Sequence, residues 1–171
     1  MELIKNFLQT RDISRMIVVL LFAWYFMTAA LQQNSWHLID SVNLVIHEAG
    51  HTIFFFFGEF FGIAAGSGFQ VFIPLVFVLY FFFRAEFFSS SILLFWIGES
   101  LVNVSVYIGD AVVMQLPLLG GDGTIHDWNY LLSHTGLLPF TPLISLLIFI
   151  SGFMCMSAAI FWGIMFATNK K

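Results

Sequence analysis

The chain has 171 residues, of which 60% are apolar, 19% aromatic and only 9% charged, and its mean hydropathy is +0.93. A soluble domain carries about a quarter charged residues, so this composition excludes a water-exposed globular surface and reads as an integral membrane protein in contact with lipid. Six Lys and Arg against ten Asp and Glu give a net charge of -4 without a basic run, which excludes nucleic-acid binding, and the single cysteine, Cys155, excludes an internal disulfide or a four-cysteine zinc site.

In chain order, residues 16–31 (MIVVLLFAWYFMTAAL) form the first apolar run. Bulky Trp24, Tyr25 and Phe26 near its end, and the lack of an A-x-A site, predict a transmembrane helix and not a cleaved signal peptide. The polar stretch QQNSWHLIDS leads into a second span over 42–65, closed by a turn at Gly66-Ser67-Gly68. A third span covers 69–83 and contains Pro74, a fourth covers 87–108, and the last covers 143–167. Most approach the ~20 residues that cross a bilayer. They predict an all-α polytopic bundle of about five or six spans, folded as a single domain over residues 1–171.

Lys5, Arg11 and Arg15 precede the first span, which predicts a cytoplasmic N-terminus. Lys170 and Lys171 at the other end favour the same side and require an even number of crossings. Either one segment re-enters, or a short helix near 128–138 crosses.

Ionisable groups inside a bilayer are costly and mark function by default. The second segment reads NLVIHEAGHTIFFFF, with His47, Glu48 and His51 in an apolar helix. His47 and His51 are four apart, on one helical face, where two neutral imidazoles can share a tetrahedral zinc ion. Glu48 sits one residue beyond the first ligand and can take a proton from a metal-bound water as general base. A zinc site needs a third protein ligand and an open position. Candidates lie in LPLLGGDGTIHDWNYLL, where Asp122, His126 and Asp127 fall close together, although Asp127 can equally cap the helix that follows. In the fourth span Glu99, Asn103 and Asp110 fall within about 40° on one helix face, with Tyr107 at its edge. Glu99 and Asn103 read as groups that orient the metal-bound histidines, or as a hydrogen-bonded seam between helices. Gly62, Gly66 and Gly68 fit a tight turn or a close helix approach equally well. His37 and His134 read as solvated. No phosphate-binding loop, dinucleotide fingerprint or G-x-S-x-G occurs, so nucleotide binding and serine-hydrolase chemistry have no foothold.

Through HEAGH at His47 to His51, and more loosely LPLLGGDG at Leu116 to Gly123, the chain resembles the site-2 protease family of intramembrane zinc metallopeptidases. Members take a third zinc ligand from an Asp in an L-D-G motif preceded by N-x-x-P. The resemblance implies His47 and His51 as ligands, Glu48 as catalytic base and Asp122 as the nearest equivalent of the motif's Asp. Gly121 stands where the family has Leu, and Met114 where it has Asn. The third ligand therefore stays open among Asp122, Asp127 and His126. The expected function is hydrolysis of peptide bonds in or near the bilayer, with Zn2+ as cofactor and a membrane protein or peptide as substrate. The resemblance and the absence of an organelle-targeting segment point to the bacterial inner membrane. A non-proteolytic protein that binds, senses or transports zinc is the alternative, distinguished by Glu48, for which it has no use. A five-span count would put the 111–126 loop on the wrong side of the membrane to meet His47, so this apolar, irregular stretch is expected to re-enter the bundle.

Overall fold

The computed structural model describes residues 11–32, 35–119 and 124–168. Among these the chain is helical, and the one strand-like feature is an isolated bridge between Arg11 and Thr168. The helices are α1 (Ile13–Leu31), α2 (Leu38–Phe54), α3 (Glu59–Phe83), α4 (Phe87–Gly109), α5 (Asp127–His134) and α6 (Thr141–Phe166). Short 3-10 turns at Phe55–Phe57 and Leu138–Phe140 precede α3 and α6.

Local chemistry sets the helix starts. Asp12 caps α1, its Oδ1 accepting from the Arg15 backbone N–H at 3.2 Å and from the Ser14 hydroxyl at 2.7 Å. The same two contacts hold its carboxyl below the usual carboxylate range, the Ser14 hydrogen bond contributing most. At α2 the His37 backbone N–H donates to Asp40 Oδ2 at 2.7 Å, half of a reciprocal cap.

The predicted second span over 42–65 does not exist as one helix. The chain breaks at Gly58, whose φ of +100° and ψ of 162° suit a residue without a β-carbon. Helix α3 then runs unbroken through Gly66, Ser67, Gly68 and Pro74, so the expected turn at 66–68 is absent and the predicted third span starts at Glu59. A helical glycine costs about 1 kcal/mol relative to alanine. At Gly66 that cost is offset by two histidine rings packed into the space a side chain would fill.

Among the described residues four helices are, by length and composition, able to cross a membrane: α1, α3, α4 and the stretch Leu138–Phe166 that contains α6. The expected count is five or six spans; α2 is not among these four candidates, being only 17 residues long and carrying Asp40, His47, Glu48 and His51. The outer surface suits lipid: Phe72 is 53% exposed, Phe83 80% and Leu146 53%. The interior is built around Phe26, Phe95, Val102, Met156 and Ala159. Gly98 of α4 and Gly152 of α6 face each other across a close helix crossing; a β-carbon at either would stand 2.7 Å or less from the other's carbonyl oxygen.

Side-chain contacts fix the helix directions. Helices α4 and α6 are antiparallel, with Phe87 stacked on Phe166 near one end and the Ser145 hydroxyl donating to the Ser105 carbonyl towards the other. Helix α3 is antiparallel to α4 through Ser90 to Val78 and Gln70 to Asn103. Helix α1 is antiparallel to α6, the Asp12 N–H donating to the Ala167 carbonyl at 3.1 Å and Val19 packing on Gly163. The start of α1 and the end of α6 therefore share one end of the bundle. The end of α1, the start of α3, the end of α4 and the start of α6 share the other. The described residues between α1 and α3, and between α4 and α6, connect helix ends at that second end.

Helix α2 packs by one face against this half of the bundle. Its Ile39 N–H donates to the Tyr25 hydroxyl at 3.1 Å, about 9 Å from the end of α1 at 1.5 Å per residue. It then runs back outward to Phe54. The described residues of 32–58 thus lie beside this end of the bundle, while the re-entry expected over 111–126 falls partly on residues 120–123, which lie outside the described residues. The described part of that stretch is exposed from Val112 to Pro117 and folds on itself, with Asp110 accepting from the Gln115 and Leu116 N–H groups at 2.9 Å each.

Candidate metal centre

Asn43, His47 and Gly50 form the buried face of α2, at positions i, i+4 and i+7. Gly50 packs on the Ala65 carbonyl and Phe69, which brings α2 close against α3 and leaves the two histidine rings between them. His47 Nε2 lies 2.9 Å from Asp127 Oδ2, and His51 Nε2 lies 3.1 Å from the same oxygen. The three candidate ligand atoms fall within 4.8 Å of one another. Ligands around a tetrahedral zinc ion at ~2.0–2.1 Å stand about 3.3 Å apart, close to these separations.

The other ring nitrogens explain why the first two point inward. His51 Nδ1 is 2.9 Å from the Gly62 carbonyl, which only accepts, so Nδ1 carries the hydrogen. In the neutral ring Nε2 then holds a lone pair aimed at a carboxylate oxygen. Two acceptors at that distance repel unless a proton or a cation lies between them. His47 Nδ1 likewise faces Gln70 Oε1 at 3.3 Å, while the Gln70 amide donates to Asn103 Oδ1 at 2.9 Å. Without a cation, burial opposes the charge on Asp127, and hydrogen bonds from the two neighbouring rings in their protonated form outweigh it and hold the carboxyl below the usual range. Two imidazole nitrogens and one anionic oxygen, mostly sheltered from water, form a donor set suited to zinc with a fourth position free.

Asp127 reaches the histidines because α5 returns over the same end of the bundle. Its backbone N–H donates to the Tyr107 hydroxyl at 3.1 Å, and the Trp128 indole donates to Ser67 of α3 at 3.0 Å. The helix cap that Asp127 could have supplied is made by His126: its Nδ1 accepts from the Asn129 N–H at 3.2 Å, and its Nε2 lies 3.2 Å from Asp110 Oδ2. Both His126 nitrogens are thereby committed, and the ring stays out of the cluster. Asp122 lies outside the described residues.

Glu48 is exposed, on the open side of α2 between His47 and His51 in sequence. Of the two groups expected to support the ligands, Asn103 touches His47 only through Gln70. Its own amide donates to Asp40 at 3.4 Å, ending a chain from Asp40 to His47. Glu99 is 2% exposed and accepts from Asn43 at 2.6 Å, one turn away from His47. Trp96 and Ser100 also donate to Asn43, at 2.8 and 3.3 Å.

Sequence reasoning missed Gln70 and Asn43. Asn43 shares the i, i+4, i+8 row with both histidines, a signal in the spacing itself. Gln70, 3% exposed, is an amide in a strongly apolar helix, which is a weaker signal.

Comparison of the chain with models of known protein families, with curated proteins and with solved structures gives no match.

Proposed function

We propose that this chain is a membrane-embedded zinc metallopeptidase that hydrolyses peptide bonds in or next to the bilayer. The observation that carries the reading is the convergence of His47, His51 and Asp127 on one point, with exposed Glu48 next to His47 in sequence and outside the ligand set. A zinc ion held by His47, His51 and Asp127 would supply a water of lowered pKa and would polarise the scissile carbonyl. Glu48 would take a proton from that water and deliver it to the departing amine. Gln70 and the Gly62 carbonyl hold the two rings in the tautomer that presents Nε2.

The orientation follows the basic residues. Arg11 lies at the bundle end shared by both described termini, where its guanidinium donates to the Ile164 and Met165 carbonyls. With Lys5, Arg15, Lys170 and Lys171 at the same chain ends, that end is cytoplasmic, in a bacterial inner membrane. The metal centre then belongs to the opposite half of the bilayer.

The test is metal content by mass spectrometry on the detergent-purified chain, wild type beside Glu48→Gln and His47→Ala, with cleavage of an unfolded membrane substrate in parallel. Near-stoichiometric zinc in wild type and Glu48→Gln, its loss in His47→Ala, and cleavage by wild type alone are expected. Zinc retention with no cleavage by wild type would instead favour a binding or transport protein, and equal metal in all three would remove the site.

A further inference from the structure

Around the metal centre most polar hydrogens are committed. The Gln70 amide donates to Asn103, the Asn103 amide to Asp40, the Trp128 indole to Ser67 and the Thr52 hydroxyl to the Glu48 carbonyl. Tyr107 differs. Its hydroxyl accepts the Asp127 N–H at 3.1 Å, and among the described residues its own hydrogen has no acceptor. The ring is held on two sides, its centre 5.9 Å from that of His47 and 4.5 Å from that of His126. It is neither fully buried nor fully exposed. A phenol fixed through its oxygen to the backbone of a ligand residue, with its hydrogen free, is a preorganised donor at the rim of the centre.

We propose that Tyr107 is a catalytic residue that donates its O–H to the oxygen of the scissile carbonyl as negative charge develops there. This rests on the peptidase reading above. In the step it serves, the water oxygen bonds to the carbonyl carbon, one water proton passes to Glu48, and the carbonyl π pair moves onto its oxygen. When the C–N bond breaks, that pair returns and the proton leaves with the amine. Tyr107 keeps its proton throughout. Its hydrogen bond is strongest when the oxygen is most negative, so it lowers the barrier more than it tightens substrate binding.

The experiment uses Tyr107→Phe, which keeps the ring and removes only the hydroxyl, in the full chain purified in detergent. Zinc content, kcat and KM on an internally quenched apolar peptide, and the Kd of a phosphonamidate analogue of that peptide are measured beside wild type. Zinc equal to wild type, KM within about twofold and kcat lower by on the order of 10²–10³-fold are expected, with weaker phosphonamidate binding. Wild-type kcat in the variant overturns the inference and leaves the peptidase reading standing. Loss of zinc from the variant also overturns it, making the hydroxyl a brace for Asp127. A zinc-loaded wild type that cleaves no peptide overturns the peptidase reading, and this inference with it.

Discussion

His51 rests on Gly66: a β-carbon at that glycine would stand 2.5 Å from His51 Nε2, and 2.6 Å from Nε2 of His47. The floor of the candidate metal centre is thus the bare backbone of α3. Gly66→Ala should leave helix content unchanged or slightly higher, since alanine is the better helix former. It should also push both ligand nitrogens off their positions and strip the protein of zinc. Circular dichroism alongside metal analysis checks this, and a Gly66→Ala protein with full zinc content would refute the placement of the rings.

Asp127 and His126 are neighbours in sequence with different tasks, and substitution should separate them. Asp127→Ala removes the anionic ligand and is expected to abolish zinc retention. His126→Ala removes a helix cap worth about 1 kcal/mol and a contact to Asp110, so it should lower thermal stability while much of the zinc stays bound. Loss of zinc from His126→Ala with retention in Asp127→Ala would reverse the assignment.

Gln70 orients His47 from the far side of the ring. Gln70→Leu keeps the volume and removes the acceptor for Nδ1, so zinc affinity should fall by roughly 10–100-fold, the range typical of groups behind a metal-bound histidine. A competition titration with a chelator of known affinity measures it. Unchanged affinity would mean that packing alone fixes the ring.

The direction of the four long helices makes a prediction about sidedness. In a Cys155→Ser background, single cysteines at Ser14 and Thr168, both exposed at the end shared by α1 and α6, should react with a membrane-impermeant maleimide from one side of the membrane. A cysteine at exposed Ser133 in α5 should react only from the other. Labelling of all three from the same side would contradict the helix directions described above.

What the sequence determined by itself is what local physics dictates. Composition alone demanded a membrane environment, because so few charges cannot cover a surface in water. The four-residue spacing of His47 and His51 placed them on one face of any helix they occupy, since helical periodicity is a property of the backbone. The tertiary structure decided the rest. The break at Gly58 and the continuity through Gly66 and Gly68 depend on what packs against each glycine: nothing lies within 4 Å of a β-carbon at Gly58, while two histidine rings fill the space over Gly66. The third member of the cluster is 80 residues from His47 in sequence. No local pattern separates Asp127 from its neighbours, and only the fold, by bringing segments 32–58 and 110–140 to one end of the bundle, turns its carboxylate towards the histidines while His126 caps the helix.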